Sequence, residues 1–299
     1  MCNKNTVEEL SKLISIGPII VYTCEAFGEF AATSITSNIY NQLGYEAGEF
    51  IKTANFWALH IHPDDKKKIF DDLSNLFEKG EHSHEYRFLH NDGSYRWMHD
   101  ELRLINGKDG QPQTIVGYWT DITERKLIEE KLEFMSCHDA VTQLPNRNLL
   151  MERLNSALMR SHRSKDKVAI IFIDLDNFKK INDNFGHNGG DHTLKTVAGR
   201  ISSYLRETDT VARFGGDEFV VILQDIKNEN DVSIKIKEII ELVSTPIKLD
   251  EKEAIISMSI GIAIYPNQNQ SAQQLLILAD NAMYRAKNNG KNCFQFSNG

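Results

Sequence analysis

Two stretches decide how this chain is read: Val168-Ala169-Ile170-Ile171-Phe172-Ile173-Asp174-Leu175-Asp176 and Arg213-Phe214-Gly215-Gly216-Asp217-Glu218-Phe219. The first is an unbroken apolar run closing on two acids, the pattern of a buried strand. In the second, Gly215-Gly216 separates two β-rich runs, Thr210 to Phe214 and Glu218 to Leu223, as in a hairpin. Two glycines leave no side chains where a nucleotide could lie against the backbone. Acids at a strand end and acids in a neighbouring hairpin can converge on one divalent cation, and Mg²⁺ favours one or two carboxylates completed by substrate phosphates. Either feature alone is ordinary. Together they point to phosphoryl transfer.

Outward from these runs, Phe178 to Leu205 reads as helical with an interruption at Gly186 to Gly190, and Asn230 to Val243 as a helix. Glu253 to Ile264 reads as one long strand, and Ser271 to Asn288 as a helix behind a good N-cap. The N-terminal half has a different texture. Thr6-Val7-Glu8-Glu9 fits a capping box before an apolar stripe of Val7, Leu10, Leu13 and Ile14, so a short helix is expected within 1–18. Short β-rich runs follow at Ile20 to Thr23 and Ala31 to Thr36, with a regular helical segment at Asp65 to Glu78. Three further strands are expected at His84 to Leu89, Tyr95 to Leu104 and Thr114 to Thr120, separated by Asn91-Asp92-Gly93 and Asn106-Gly107-Lys108-Asp109-Gly110. This is a compact α+β unit.

Between the halves, Ile128, Leu132 and Met135, with Leu127 and Phe134 beside them, have the spacing of a helical seam within Glu124 to Ser136. Either a linker packed on its own domains or a parallel two-helix connector would use it. The 299 residues carry a formal charge of −8, all of it in the first 138 residues, and no basic stripe. Nucleic acid and anionic membranes are therefore poor partners. The best apolar stretch, Leu13 to Tyr22, is far short of the ~20 residues that span a bilayer and contains Gly17-Pro18. Four scattered cysteines without metal spacing suit reduced thiols. A soluble cytoplasmic protein is expected.

Phe56-Trp57-Ala58-Leu59-His60-Ile61-His62-Pro63-Asp64-Asp65, Glu85-Tyr86-Arg87-Phe88, Asp92-Gly93-Ser94-Tyr95-Arg96-Trp97 and the closing Ile115 to Lys126 resemble a PAS domain. From Asp139 onward the chain resembles a GGDEF domain of the diguanylate cyclase family. That likeness rests on Asp139-Ala140-Val141-Thr142-Gln143-Leu144-Pro145-Asn146-Arg147, Asp174 to Asp183, Phe185-Gly186-His187-Asn188-Gly189-Gly190-Asp191, the Arg213 to Phe219 hairpin, Ser259 to Ala263 and Ala279 to Lys287. The resemblances imply an N-terminal helix (1–18), a PAS domain (19–123), a helical linker (124–138) and a GGDEF domain (139–299). The fold class is then α+β followed by α/β, the second domain having a central mixed sheet flanked by helices, like nucleotide cyclases and polymerase palms.

The resemblance further implies that Asp174 and Asp217 ligate Mg²⁺ or Mn²⁺ with the Leu175 carbonyl. Glu218 would be a second metal ligand or the base, and these two roles stay open. Asn182 and Asp191 would read the guanine of GTP, with Leu144 lining the pocket. Phe178 is counted with these binding residues although a core role is the more natural one, and Gly215 and Gly216 would lie under the nucleotide. Lys179, Lys287 and Lys291 would neutralise the triphosphate, and Arg206 with Asp209, an RxxD, would form an inhibitory site for the product, cyclic di-GMP. A homodimer is implied, because one such domain holds one GTP. A catalytically silent domain that only binds GTP or cyclic di-GMP is the alternative.

Other residues read as structural: Asp176 and Asp183 as possible caps, Phe185 as core, His187 as a satisfied histidine, and Arg213 as a buried partner with Asp139 as the candidate acid. Val141, Gln143 and Lys291 depart from the family's usual Leu, Gly and Arg, and Lys291 keeps a charge but not a bidentate fork. The signal or ligand of the PAS half is not named by the sequence. No flavin-adduct motif surrounds Cys24, and His60 and His62, before Pro63-Asp64-Asp65, read as turn or cap residues before haem ligands. No phosphodiesterase-like segment follows the second domain in these 299 residues.

Overall fold

A computed structural model describes residues 9, 12–107, 112–249, 251–266 and 270–297, and the chain divides into two compact units, Met1–Lys131 and Leu132–Gly299. Residues 12–16 are helical, while the Thr6 to Glu9 capping box expected before them lies outside the described residues except for Glu9, as do three residues of the Asn106 to Gly110 turn.

The first unit is a five-stranded antiparallel sheet in the order β2-β1-β5-β4-β3. Its strands are β1 (Ile19–Glu25), β2 (Ala32–Ile35), β3 (Glu81–Leu89), β4 (Tyr95–Asn106) and β5 (Pro112–Asp121). Five short helices between β2 and β3 cover one face: α1 (Ile39–Leu43), α2 (Ala47–Lys52), α3 (Phe56–His60), α4 (Pro63–Asp72) and α5 (Ser74–Lys79). The single helical segment expected over Asp65 to Glu78 is two helices meeting at Leu73. Alternation sends Tyr86, Phe88, Met98 and Leu102 inward, where they meet Ile20, Phe50 and Trp119 in one core. His62 caps α4 by accepting the Asp64 amide at 3.2 Å, and His60 Nδ1 bonds the Phe56 carbonyl at 2.7 Å. The connector is α6 (Thr123–Cys137).

The second unit is a sheet in the order β12-β11-β6-β8-β7, antiparallel except where β12 (Phe294–Phe296) runs parallel to β11 (Ser257–Tyr265). Its centre is β6 (Lys167–Asp176), buried from Val168 to its end. Because side chains alternate, a strand apolar at every position needs cover on both faces. Ala169, Ile171, Ile173 and Leu175 share a core with α8 (Phe178–Tyr204) and α9 (Glu229–Val243). Val168, Ile170 and Phe172 share the other with α7 (Arg147–Ser164) and α10 (Ala272–Asn288). β7 (Thr210–Gly215) and β8 (Glu218–Ile226) form the hairpin beside β6.

Three differences from the sequence reading stand out. The long strand expected over Glu253 to Ile264 is two: β10 (Lys252–Ala254) leaves the sheet to pair with β9 (Ile247–Leu249), and only β11 continues into it. The α8 interruption is confined to Gly186, with φ 69° and ψ 177°. α7 had no counterpart in the sequence reading.

Gly261 fixes the distance between β11 and α10. A Cβ there would lie 1.9 Å from the Ala279 carbonyl oxygen and 2.1 Å from the Met283 nitrogen, both backbone atoms of α10. Helix backbone cannot give way as a side chain tip can, so overpacking is severe. Gly261→Ala is expected to cost about 3 kcal/mol, read as a lower urea midpoint with unchanged slope.

Candidate active site

At the end of β6 the alternation places Asp174 on the α7/α10 face, and its register partner on β8 is Glu218, which emerges on the same face. The turn between the strands holds Gly216 at φ +50° and Asp217, whose carbonyl accepts the Leu175 amide at 3.2 Å. Three carboxylates therefore surround one strand end. Burial raises the Asp174 pKa; the Lys287 hydrogen bond opposes this, and the charges of Asp217 and Asp176 add to it. Burial also raises Glu218, with the charges of Asp174, Asp280 and Asp217 behind it. Lys287 Nζ, delivered by α10, lies 2.6 Å from Asp174 Oδ2. One ammonium against three acids leaves a site that favours a further cation.

Asp174 and Asp217 offer hard oxygen ligands suited to Mg²⁺ or Mn²⁺. Among the described residues no three His, Cys, Asp or Glu side chains are gathered closely enough to hold an ion unaided. The donor set fits an ion shared with a phosphate-bearing ligand better than a closed protein cage.

Asp176 adds its charge to this cluster but is committed to hydrogen bonds of its own. Its buried carboxylate accepts Ser257 Oγ at 2.8 Å, Ser259 Oγ at 2.7 Å and the Asn292 amide at 3.1 Å, tying the segment after α10 to the sheet. That segment brings Lys291 Nζ to Asn177 Oδ1 at 3.1 Å, and Lys179 is exposed one turn away.

Asn182 and Asp191 stand on α8, across the sheet from Lys287. The Gly186 break folds the two parts of α8 together, so that a Cβ on Gly190 would lie 1.9 Å from Asn182 Oδ1 and 3.2 Å from Phe178 Cζ. Gly190, which the sequence reading did not single out as a site residue, thus makes room for Asn182. Its signal was two adjacent glycines inside a helical run. Leu144, Phe178 and Phe185 pack half-buried against the neighbouring core, so Phe178 serves the core. Asp183 and His187 are exposed.

Arg206 and Asp209 share one turn, but they face different surroundings. Asp209 is buried, accepting the amides of Arg206 at 3.3 Å and Gln224 at 3.2 Å and pairing with Lys235 at 3.3 Å. Arg206 is exposed beside a hollow of 290 Å³ that Lys227 and Lys235 also line.

Arg213 holds the hairpin. Its Nη1 meets both Asp139 oxygens at 2.9 and 3.0 Å, while Nε and Nη2 donate to the Gly216 carbonyl at 2.9 and 2.7 Å. Asp139 also accepts the Thr142 amide and hydroxyl. Burial alone would raise its pKa, but the Thr142 and Arg213 bonds outweigh it and hold the group below 3.8. Gln143 sits in the same loop at φ +60°, a conformation that favours glycine and accounts for the family's usual residue there.

Asp139→Asn should cost about 2 kcal/mol at neutral pH, since it leaves a mostly buried guanidinium short of its counter-charge. A depressed carboxyl stabilises above its unfolded pKa and loses that contribution as pH falls through its folded value. The difference between wild type and variant in urea unfolding should therefore be full at pH 6 and shrink below pH ~4.

The family model described as "Diguanylate cyclase, GGDEF domain" matches residues 136–293, and one described as a PAS fold matches 32–119. The chain is 42% identical over 162 residues to the bifunctional diguanylate cyclase/cyclic di-GMP phosphodiesterase MucR of Pseudomonas aeruginosa, covering 54% of this chain and 24% of MucR. It is 43% identical over 151 residues to the diguanylate cyclase TpbB of the same organism, covering 50% of this chain and 35% of TpbB. The chain thus spans a quarter to a third of these relatives. The solved GGDEF domain of TpbB superposes with a TM-score of 0.52 at 40% identity, covering 54% of this chain and 94% of that one. The coiled coil and GGDEF domain of DgcB from Caulobacter crescentus, solved with c-di-GMP, gives 0.54 at 25% identity, covering 58% and 93%. Among the described residues no helix is long and apolar enough to cross a membrane. With more than half its length matched by that model, and a PAS fold ahead of it, the chain belongs to the GGDEF family.

Proposed function

We propose that the chain is a diguanylate cyclase, joining two GTP into cyclic di-GMP with release of two pyrophosphates. The observation that carries this is the convergence of Asp174, Asp217 and Glu218 on one strand end with Lys287 among them. Similarity alone does not select synthesis, because the cyclic di-GMP phosphodiesterase NbdA of Pseudomonas aeruginosa is 38% identical over 165 residues. The intact acids favour synthesis over a silent nucleotide receptor.

Asn182 and Asp191 would read guanine, the carboxylate accepting from the N1–H and N2–H donors that adenine lacks. Gly215 and Gly216 would let the phosphates lie close to the turn, with Lys179, Lys287 and Lys291 neutralising them. Asp174, Asp217 and the Leu175 carbonyl would hold Mg²⁺ or Mn²⁺, which neutralises charge at the phosphates when bound. Glu218, its carboxyl raised and so more basic than a surface glutamate, would take the proton of an attacking 3′-hydroxyl. The new bond joins that O3′ to the α-phosphorus of the other nucleotide, and the α–β bridging bond breaks as pyrophosphate leaves. Repeating the step on the second pair closes the ring.

One chain offers one guanine-reading pair, so the working unit would be a homodimer. α6 supports this, having no buried residue while exposing Leu127, Ile128, Leu132 and Met135. A PAS signal would act by changing how two such helices pack. Arg206, beside a hollow that Lys227 and Lys235 line together with Asp225 and Asp231, would hold product as an inhibitor, with Asp209 fixing the turn that presents it.

Incubation with Mg²⁺ and GTP should yield cyclic di-GMP, and Asp217→Ala should lower the rate at least 100-fold, followed by chromatography of the nucleotides. GTP bound tightly by wild type without turnover would establish the receptor reading instead. Ile128→Glu with Leu132→Glu should weaken self-association at least tenfold in sedimentation and lower turnover in dilute solution, recovering as protein concentration rises.

A further inference from the structure

Three consecutive residues beyond α10 have left-handed backbone: Gly290 at φ 107°, Lys291 at 65° and Asn292 at 47°. Glycine takes such angles freely and asparagine with some ease, whereas lysine seldom does. All three are exposed, so packing does not hold them in this shape. The turn is tied at its start, where the Lys291 amide donates to the Ala286 carbonyl at 3.2 Å, and just past its end, where the Ile260 amide donates to the Cys293 carbonyl at 3.0 Å. Between these ties the Asn292 amide donates to Asp176 Oδ2 at 3.1 Å.

Asp176 is buried at the end of β6, and its other donors are Ser257 Oγ on Oδ2 and Ser259 Oγ on Oδ1. A carboxylate, which only accepts, suits three converging donors; a carboxamide would turn its own NH₂ toward some of them. The same charge works against Asp174, whose carboxyl it helps to raise. An acid that opposes its neighbours here is explained by what it fastens. The latched turn brings Lys291 Nζ to Asn177 Oδ1 at 3.1 Å, and Asn177, itself at φ 59°, directly follows β6. α10 has already delivered Lys287 to Asp174 at 2.6 Å. Helix and turn thus bring two ammonium groups to one strand end, the second by way of strained backbone. Strain of this kind persists where surrounding structure imposes it.

We propose that Asp176 is a positioning residue for the nucleotide's phosphates: its carboxylate latches the turn at Asn292 and so keeps Lys291 at the end of β6. The inference rests on the nucleotide reading of the site and gives the second acid of β6 a task apart from metal binding and proton transfer. Asp176 touches neither nucleotide nor ion. It acts through the backbone of the turn, and its effect is confined to groups that Lys291 meets, the phosphates and not the base.

The test uses the full chain and two probes, followed by calorimetry with Mg²⁺: 3′-deoxy-GTP, which lacks the attacking hydroxyl, and GMP, which lacks the outer phosphates. Asp176→Asn should weaken 3′-deoxy-GTP at least fivefold and leave GMP within twofold of wild type. Lys291→Ala should do the same, and the two changes together should lose little more than the larger single one, because both withdraw the same ammonium. Affinity for 3′-deoxy-GTP within twofold of wild type in Asp176→Asn would overturn the assignment, as would fully additive losses or an equal fall for GMP. Because Asp176 is buried, a second pair of variants carries the test if Asp176→Asn does not melt cooperatively. Asn292 is exposed, so Asn292→Val leaves packing alone but opposes φ 47°, while Asn292→Gly accepts it. The valine variant should weaken 3′-deoxy-GTP at least threefold with GMP unchanged, and the glycine variant should stay within twofold for both. Equal behaviour of the two would overturn the latch. A wild type that binds 3′-deoxy-GTP yet makes no cyclic di-GMP from GTP removes the cyclase reading and leaves the latch to stand on these affinities; one that binds neither probe overturns both.

Discussion

Like charges held together at the end of a buried strand are the constraint around which the second unit is organised. Asp174, Asp217 and Glu218 would separate if the chain were free to let them. They stay because β6 is locked between two cores and the hairpin cannot swing away. Lys287 relieves part of the repulsion, and it arrives only because α10 lies directly on β11 at Gly261. Arg213 contributes from the other side, clamping the turn through Gly216 and anchoring it to Asp139. Stability built elsewhere in the fold maintains a locally unfavourable arrangement, as is usual where charge is poised for chemistry.

The first unit contains a smaller version of the same physics. Asp100, on an inward position of β4, is almost fully buried. Tyr22 donates to it at 2.7 Å and Tyr86 at 3.1 Å, and Trp57 donates to the Tyr86 oxygen at 2.8 Å. Gly117 leaves the space through which the Tyr22 ring crosses β5. Burial, with the Asp100 charge behind it, keeps both tyrosines firmly protonated and able to donate. A buried acid served by two hydroxyls, with His84 Nε2 at 3.4 Å, is polar but geometrically demanding, since every partner must stay in place.

Much of this was legible from residue order. The apolar run before Asp174 and the glycine pair before Asp217 forecast a buried strand and its neighbouring hairpin, because burial and turn chemistry are local properties. The partners of Asp100 were not legible, because Tyr22 on β1 and Tyr86 and His84 on β3 meet it only once the sheet has formed. The split of Glu253 to Ile264 was not legible: Ile255 and Ile256 look like strand, and only the competing pairing of β10 with β9 divides them. Nor was the stacking of Arg147 on Phe214, which lies far off in sequence. Asp209 illustrates the converse, since a motif put it beside Arg206 while the fold turned its carboxylate inward to Gln224 and Lys235.

The two faces of the sheet divide the proposed reaction centre. Asn182 and Asp191 follow α8 onto one face, whereas strand parity sends Asp174 and Glu218 to the other. A nucleotide bound by Asn182 and Asp191 must therefore reach across the strand ends to bring its phosphates to the acids. On the proposed function two copies would have to meet, and α6, which exposes Leu127, Ile128, Leu132 and Met135 and joins the two domains in sequence, is placed where control of that encounter would be effective.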